Sequence, residues 1–405
     1  MKKLFFIFSS FLILTFTSCT SSSFSGEDKI SSLSSSEIDF YKSNPEKIRG
    51  SVLEREEILF GKGIKLSSEN ENSFVLAVVP DVQNYFHLSY QKDRFFWYPM
   101  NHYEIARRQM EFIKDNSVKN GGPVVAALFL GDLVNDYGRF KWEWKHSASS
   151  IFILDDVLPF SLIPGNHDYD KRTVYKDGKK VYSGSVWYNR YFGPQTDFFK
   201  DKDWFGGYYE NGLNTWMTFS GAGKEFLVLA LEFEPSDSVL DWAQNVLDTH
   251  PSMPVILTTH SFLESKNNDE GNGKPSKLSG KNEGDGNSPQ ALYDKFISKN
   301  KNIFLVLCGH VAAENRNVDI NEDGYTVYSL LSDYQDRRRL YYDLGYKGKA
   351  GICGDGWLRL MTFDFDKNEI RVQTYSPEYR KFETDDNSQF TLKIDWDWDE
   401  RFSAR

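Results

Sequence analysis

Five short apolar runs in this chain each end in residues that bind cations. Residues 74–80 (FVLAVVP) lead into Asp81-Val82-Gln83, and 124–130 (VVAALFL) into Gly131-Asp132-Leu133-Val134-Asn135. Residues 160–164 (FSLIP) lead into Gly165-Asn166-His167-Asp168, 255–259 (VILTT) into His260, and 303–308 (IFLVLC) into Gly309-His310. Carboxylates, amides and imidazoles without thiolates suit Zn, Mn, Fe or Ni. A carboxylate shared by two such ions holds them about 3.5–4 Å apart, a spacing used to cleave phosphate esters. The ions lower the pKa of a bound water and polarise a phosphoryl oxygen. A nearby imidazole can protonate the leaving oxygen. One such motif could be an ordinary buried polar residue at a strand end, but five are hard to explain that way.

These residues act together only if the runs that carry them lie side by side. Between the runs are helical patterns near 102–117, 142–157, 237–248 and 289–300. Buried strands alternating with helices argue for an α/β fold with a layered sheet. In such sheets ligands bind beyond the carboxyl ends of strands, so positions from 81 to 310 can converge on one pocket. After 310 only strand patterns follow (YTVYSLL, WLRLMTFDF, EIRVQTY), separated by turns at 323–324 and 366–368. These are expected to complete a second sheet. Residues 319–324 (DINEDG) imitate the start of a calcium loop, but the twelfth position is Leu330, so a hairpin turn is the better reading.

The 405 residues carry a formal charge of −10 and no basic stripe, which argues against nucleic acid as a partner. Aromatics make up 16% of the chain and read as core rather than as a stacking surface. At the N-terminus, Lys2 and Lys3 precede an apolar stretch over 4–16 that is too short to span a bilayer. It reads as the core of a secretory signal. Phe16-Thr17-Ser18-Cys19 resembles the lipobox of bacterial lipoproteins, with Phe16 where Leu is usual. That resemblance implies a multiply acylated Cys19, since one acyl chain anchors weakly. The protein is then exported and lipid-anchored to a bacterial membrane, facing the periplasm or the cell exterior.

The expected organisation is a signal peptide at 1–19, a Ser-rich tether and N-terminal extension at 20–72, the domain at 73–395 and a tail at 396–405. Residues 264–289 read as a long polar surface loop. Cys308 and Cys353 can pair in an exported protein. Cys308, at the end of an apolar strand-like run, reads rather as a small core residue.

The order of the five motifs resembles the calcineurin-like metallophosphoesterases. Their pattern runs Asp-x-His, Gly-Asp-x-x-(Asp/Asn), Gly-Asn-His-(Asp/Glu), His, Gly-His-x-His. The stretches GDGWLRLMTFD and VQTYSP extend the likeness to roughly 73–395 and resemble a bacterial subgroup that also carries Asp-x-Gln. The resemblance implies a two-sheet β-sandwich flanked by helices (α/β/β/α), with a metal centre at the strand C-terminal ends. It implies hydrolysis of a phosphate mono- or diester by metal-activated water.

Position by position, the resemblance makes Asp132 the bridge between two metals. Asn166, His260 and His310 complete the second site, and Asp81 and Gln83 serve the first. His167 sits near the leaving oxygen, oriented by Asp168 as a carboxylate orients an imidazole.

Two positions depart from the pattern. Ala312 stands where the family has its last histidine, and Gln83 offers an amide oxygen instead of an imidazole. Two readings follow. One is an enzyme holding one metal tightly and a second more weakly. The other is a catalytically weak or inactive surface binding or scaffold protein with a relic site. His87 and His102 are candidate replacements for the missing ligand, against ordinary loop and helix-start roles. Arg172 and the run at 337–339 are candidate phosphate clamps, against solvated charge. His146 and His250 fall in helix-like segments and read as surface or packing residues.

Overall fold

In the computed structural model, residues 63–87, 91, 102–174, 180–264, 274–276, 286–337 and 354–403 are described. The strand β1 (Ser73–Val79) is buried along its whole length. Its alternate residues serve two different cores. Phe74, Leu76 and Val78 face a second sheet, while Val75, Ala77 and Val79 face helices. A strand covered on both faces needs a continuous apolar run, which is what the sequence supplies.

Next in chain order come β2 (Val124–Phe129), β3 (Phe160–Ser161), the hairpin β4 (Lys171–Val174) and β5 (Lys180–Ser183), then β6 (Phe205–Tyr208) and β7 (Thr215–Gly221). They are followed by β8 (Lys224–Leu231), β9 (Val255–Thr259), β10 (Ile303–Cys308), β11 (Glu314–Ile320) and β12 (Thr326–Ser332). The last are β13 (Leu358–Asp364), β14 (Glu369–Ser376), β15 (Lys381–Glu383) and β16 (Gln389–Lys393). One sheet runs β15-β14-β13-β1-β2-β3, with β16 also on β14, and the other runs β11-β12-β10-β9-β8-β7-β6. β1, β2 and β3 are parallel, as are β8, β9, β10 and β12. Each sheet therefore has a run of parallel strands whose carboxyl ends point the same way.

Among the described residues the helices are α1 (Gln83–Phe86), α2 (Tyr103–Asp115), α3 (Lys141–Ile151), α4 (Val186–Phe192), α5 (Asp237–Thr249) and α6 (Pro289–Lys295). α2 and α3 cover the first sheet through Ile105, Met110, Ile113, Trp144 and Ile151. α5 covers the second through Val239, Leu240, Ala243, Val246 and Leu247, spaced as one helical face. α6 starts cleanly because Ser288 caps it through the N–H of Ala291 and Pro289 needs no donor there. The result is the expected α/β/β/α layering.

The aromatic residues fill the space between the sheets. Phe74 stacks on Phe363 at 4.7 Å and meets Phe226 edge-on at 5.5 Å, while Phe304 lies 5.4 Å from Trp396. Each such ring buried contributes about 1.5–3 kcal/mol.

Several expectations are corrected. The residues from 396 onward do not trail from the domain. Trp396 and Phe402 lie in the inter-sheet core, and the Arg401 guanidinium donates to the carbonyls of Lys301, Ile303 and Thr326. At the other end, Ile64 and Leu66 already pack against the helix-side core, and Leu66 N–H donates to Asn116 Oδ1 at 2.6 Å. The folded unit thus includes residues on both sides of 73–395. β11 and β12 do extend the second sheet, but β13 to β16 return to the first, with β13 antiparallel beside β1.

The 319–324 stretch is the expected hairpin turn, with Asn321 accepting from Tyr325 N–H. Cys308 is a buried free thiol, and Cys353 lies outside the described residues. Residues 1–62 and most of 264–289 lie outside them too. No helix among the described residues is long and apolar enough to cross a membrane.

Candidate metal centre

The parallel strands deliver their polar ends to one place. Asp81 follows β1, Gln83 opens α1, Asp132 follows β2, and Asn166, His167 and Asp168 form one turn of 3₁₀-helix after β3. His260 directly follows β9 and His310 lies two residues beyond β10. Asp81, Asp132 and His260 each offer a ligand atom, and the three atoms lie within 4.8 Å of one another. All three are buried. His260 Nε2 is 3.4 Å from Asp132 Oδ1 and 3.2 Å from both Asn166 Oδ1 and His310 Nδ1. Gln83 Nε2 donates to Asp132 Oδ2 at 3.0 Å. The two oxygens of Asp132 therefore face the two groups of residues separately.

The motif glycines make this packing possible. A Cβ on Gly165 would lie 2.2 Å from Asp132 Oδ1, and one on Gly309 would lie 2.0 Å from Asp81 Oδ2. Only glycine leaves room for each carboxylate. Asp132 (φ 50°) and His310 (φ 73°) sit in the left-handed region, at a cost of about 1–3 kcal/mol each. Such strain persists only where the surroundings hold it.

The residues suit a divalent cation. Asp81 Oδ2 and Gln83 Oε1 are buried with no hydrogen-bond partner. Unpaired buried polar atoms are costly, and a cation between them would relieve both. His260 Nδ1–H donates to the Leu130 carbonyl at 2.7 Å, which leaves Nε2 as the nitrogen that could meet a cation.

The charges are distorted accordingly. Burial lifts the Asp81 carboxyl well above its ordinary range, with the Asp333 carboxylate adding to the effect. Burial acts on Asp132 the same way, but the His260 and His167 imidazoles outweigh it and hold that acid low. Burial pulls His260 down, yet Asp132 and Asp81 raise it to about 10.

His167 stands at the rim. Its Nδ1–H donates to the Asn135 carbonyl, its ring stacks on Tyr137 at 4.7 Å, and its Nε2 is 3.4 Å from the Tyr137 hydroxyl. The orienting role expected of Asp168 belongs to that carbonyl and that ring. Asp168 instead accepts the backbone N–H groups of Leu133, Val134 and Gly165, tying two ligand loops together. Burial, then the Asp132 charge, raises Asp168 to about 8.

The other candidates separate. Burial holds His87 below its ordinary value, with the Asp136 charge opposing, and His102 is wholly buried and drawn down to about 3 by burial. Neither belongs to the Asp81–Asp132–His260 group. His146 packs on Trp142 and His250 on Trp216, as expected. Arg337 is committed to Glu314 and Glu383, while Arg338 and Arg339 lie outside the described residues. Arg172 lies over the Tyr137 ring and donates to its hydroxyl at 3.0 Å, close to His167.

Two residues at the site escaped the sequence reading. Asp333 and Gln335 follow β12, and Gln335 Oε1 accepts from Gln83 Nε2. Their signal was present: the run YTVYSLL leads into Ser-Asp-Tyr-Gln, repeating the Asp-x-Gln of the first motif. Beside the centre is a cavity of about 240 Å³ lined by Tyr169, Tyr182, Asn211, Glu232 and Glu234 among others. Phe233, between the lining residues Glu232 and Glu234 in sequence, packs on His260 and His310 with ring centroids 5.9 and 5.5 Å away.

A two-sheet α/β sandwich with carboxylate, amide and imidazole ligands at its strand ends defines a metal-dependent phosphoesterase architecture. The chain belongs to the calcineurin-like phosphoesterase family, whose pattern matches residues 74–314, more than half its length. It is also similar to the uncharacterized protein YvnB of Bacillus subtilis (strain 168), with 26% identity over 337 residues. That match covers 80% of this chain and 23% of the relative, so the chain corresponds to under a quarter of YvnB.

Proposed function

We propose that the protein hydrolyses a phosphate mono- or diester at this centre. The observation that carries the reading is the buried Asp81–Asp132–His260 group, whose acids have an imidazole but, among the described residues, no lysine or arginine in their ion pairs. Asp132 would hold two divalent ions, with Asn166, His260 and His310 on one side and Asp81 and Gln83 on the other. When bound, such ions lower the pKa of a water and polarise the phosphoryl group. The chain supplies the rest. Asn135 holds the Nδ1 proton of His167, so Nε2 is the nitrogen that exchanges a proton with the leaving oxygen. Tyr137 keeps the ring upright, and Arg172 places a positive charge beside it. The neighbouring cavity offers carboxylates and hydroxyls, which suit a hydroxylated or cationic leaving group.

The test is hydrolysis of bis-p-nitrophenyl phosphate and p-nitrophenyl phosphate with Mn, Fe, Zn and Ni in turn. Asp132→Asn and His260→Ala should each abolish it, and activity surviving both changes would sink the assignment. Ala312 favours a second reading, a relic site on a surface binding protein, because no imidazole completes the Gly-His-x-His motif. That reading expects no bound metal on protein purified after supplementation. The lipid anchor is likewise a proposal, motivated by the residues up to Cys19. Cys19→Ala should release the protein from the membrane fraction, and unchanged partitioning would refute it.

A further inference from the structure

The first metal site is short of two imidazoles, at Gln83 and at Ala312. The strand pairing brings something else to that corner. β12 lies parallel to β10 with Leu331 beside Cys308, which sets Asp333 level with the Gly309-His310 turn. β11 pairs with β12 through Glu314 and Ser332, so the next residue on each side is Ala313 and Asp333. Asp333 N–H donates to the Ala313 carbonyl at 2.9 Å. The Asp333 carboxylate therefore emerges one strand away from the place where the family pattern carries its last histidine.

It is buried, only 2% exposed, and built in. Gln335 grips it twice, with N–H on Oδ1 at 2.9 Å and Nε2 on Oδ2 at 2.8 Å. Gln335 is itself tied to the first motif, since its Oε1 accepts from Gln83 Nε2 and its carbonyl accepts from Asn84 Nδ2. The two Asp-x-Gln stretches, 81–83 and 333–335, thus clasp each other across the two sheets. Between them lie the unpartnered Asp81 Oδ2 and Gln83 Oε1. Three buried carboxylates gathered around one buried imidazole repel one another unless a further positive charge joins them.

The geometry points to Asp333 as the acidic ligand of the first metal site, held by Gln335 and replacing the imidazole that Ala312 lacks. This rests on the metal-centre reading above. It makes the first site all oxygen (Asp81, Gln83, Asp132 and Asp333), whereas the second keeps His260 and His310. An oxygen site suits Mn or Mg, and an imidazole site suits Zn or Fe. The protein should therefore sort two different ions rather than hold one tightly and one loosely.

The experiment is metal content after dialysis against Mn plus Zn, with Mn spectra by electron paramagnetic resonance. Wild type should hold one Mn and one Zn, or an exchange-coupled Mn pair in Mn alone. Asp333→Asn, close in shape to the native residue, should keep the Zn and lose the Mn, with the Mn affinity falling at least roughly tenfold. Gln335→Ala should weaken Mn in the same direction and less. Asp333→His should restore a second ion but favour Zn there. Melting curves of metal-free Asp333→Asn should match or exceed wild type, which separates ligation from misfolding. Retention of both ions by Asp333→Asn at unchanged affinity would overturn the proposal and leave the metal centre standing. A wild type that binds no ion would overturn both.

Discussion

Two acid-bearing groups in this fold have opposite electrostatics, one buried throughout (Asp81, Asp132 and His260) and one running from half-buried to exposed. Glu314, Glu383 and Asp385 also bring ligand atoms within 4.8 Å of one another. Glu314, however, receives Arg337 at 2.9 Å and Arg359 at 3.2 Å, together with the hydroxyls of Tyr334, Thr374 and Ser388. Burial works against the charge there, but the Arg359 and Arg337 guanidiniums prevail and bring Glu314 down to about 2. Beside the other group, burial and then the Asp132 charge leave Asp333 at about 7, although Gln335 bonds oppose the shift. One group has its cations built into the chain. The other has acids, one imidazole and unpartnered oxygens with no lysine or arginine ion pair among the described residues, which suits it to take a cation from solution. Acid clustering alone does not mark a metal site, whereas the shortage of matching positive charge does.

The comparison can be broken in several ways. The largest expected effect is catalytic: Asp132→Asn should reduce phosphodiester hydrolysis to background, while Glu314→Gln should leave its metal dependence intact. The next is stability. Arg359→Met should cost roughly 3–5 kcal/mol in urea unfolding, since it strips a buried acid of its partner. Asp132→Asn in metal-free protein should cost far less.

The third effect is pH dependence. Glu314 has a folded pKa below its ordinary 4.5, so the stability it contributes is present above pH 4.5. That stability drains as pH falls through about 2, and Glu314→Gln should flatten the unfolding curve in that window. Gly309→Ala comes next. Its Cβ must displace Asp81, so metal affinity should fall while the melting temperature shifts little. The smallest effect is that of Tyr137→Phe. It removes a long contact to His167 Nε2 and the hydrogen bond from Arg172, and should lower turnover by less than about tenfold.

The sheet centres were legible because β1, β2, β9 and β10 are buried on both faces and so read as unbroken apolar runs. β6 and β7 were not, because β7 alternates buried and half-exposed positions and β6 is an edge strand. The role of Trp396 was hidden by its acidic neighbours, which look like surface. Asp132, Asn166 and His310 could be named from glycine-marked strand ends, and Asp81 and His260 from their place in the family order. Which way a carboxylate points could not, so Asp168 beside His167 in sequence proves to serve three backbone amides. Asp333 has no glycine and no histidine beside it, and only the sheet order brings it to Asp81.

Elemental analysis after equilibrium dialysis against Mn tests the central claim most directly, applied to wild type, Asp132→Asn and Glu314→Gln side by side. Wild type and Glu314→Gln should carry the same complement of metal, and Asp132→Asn should lose it. Metal lost from Glu314→Gln but kept by Asp132→Asn, or absent from wild type, would contradict the account.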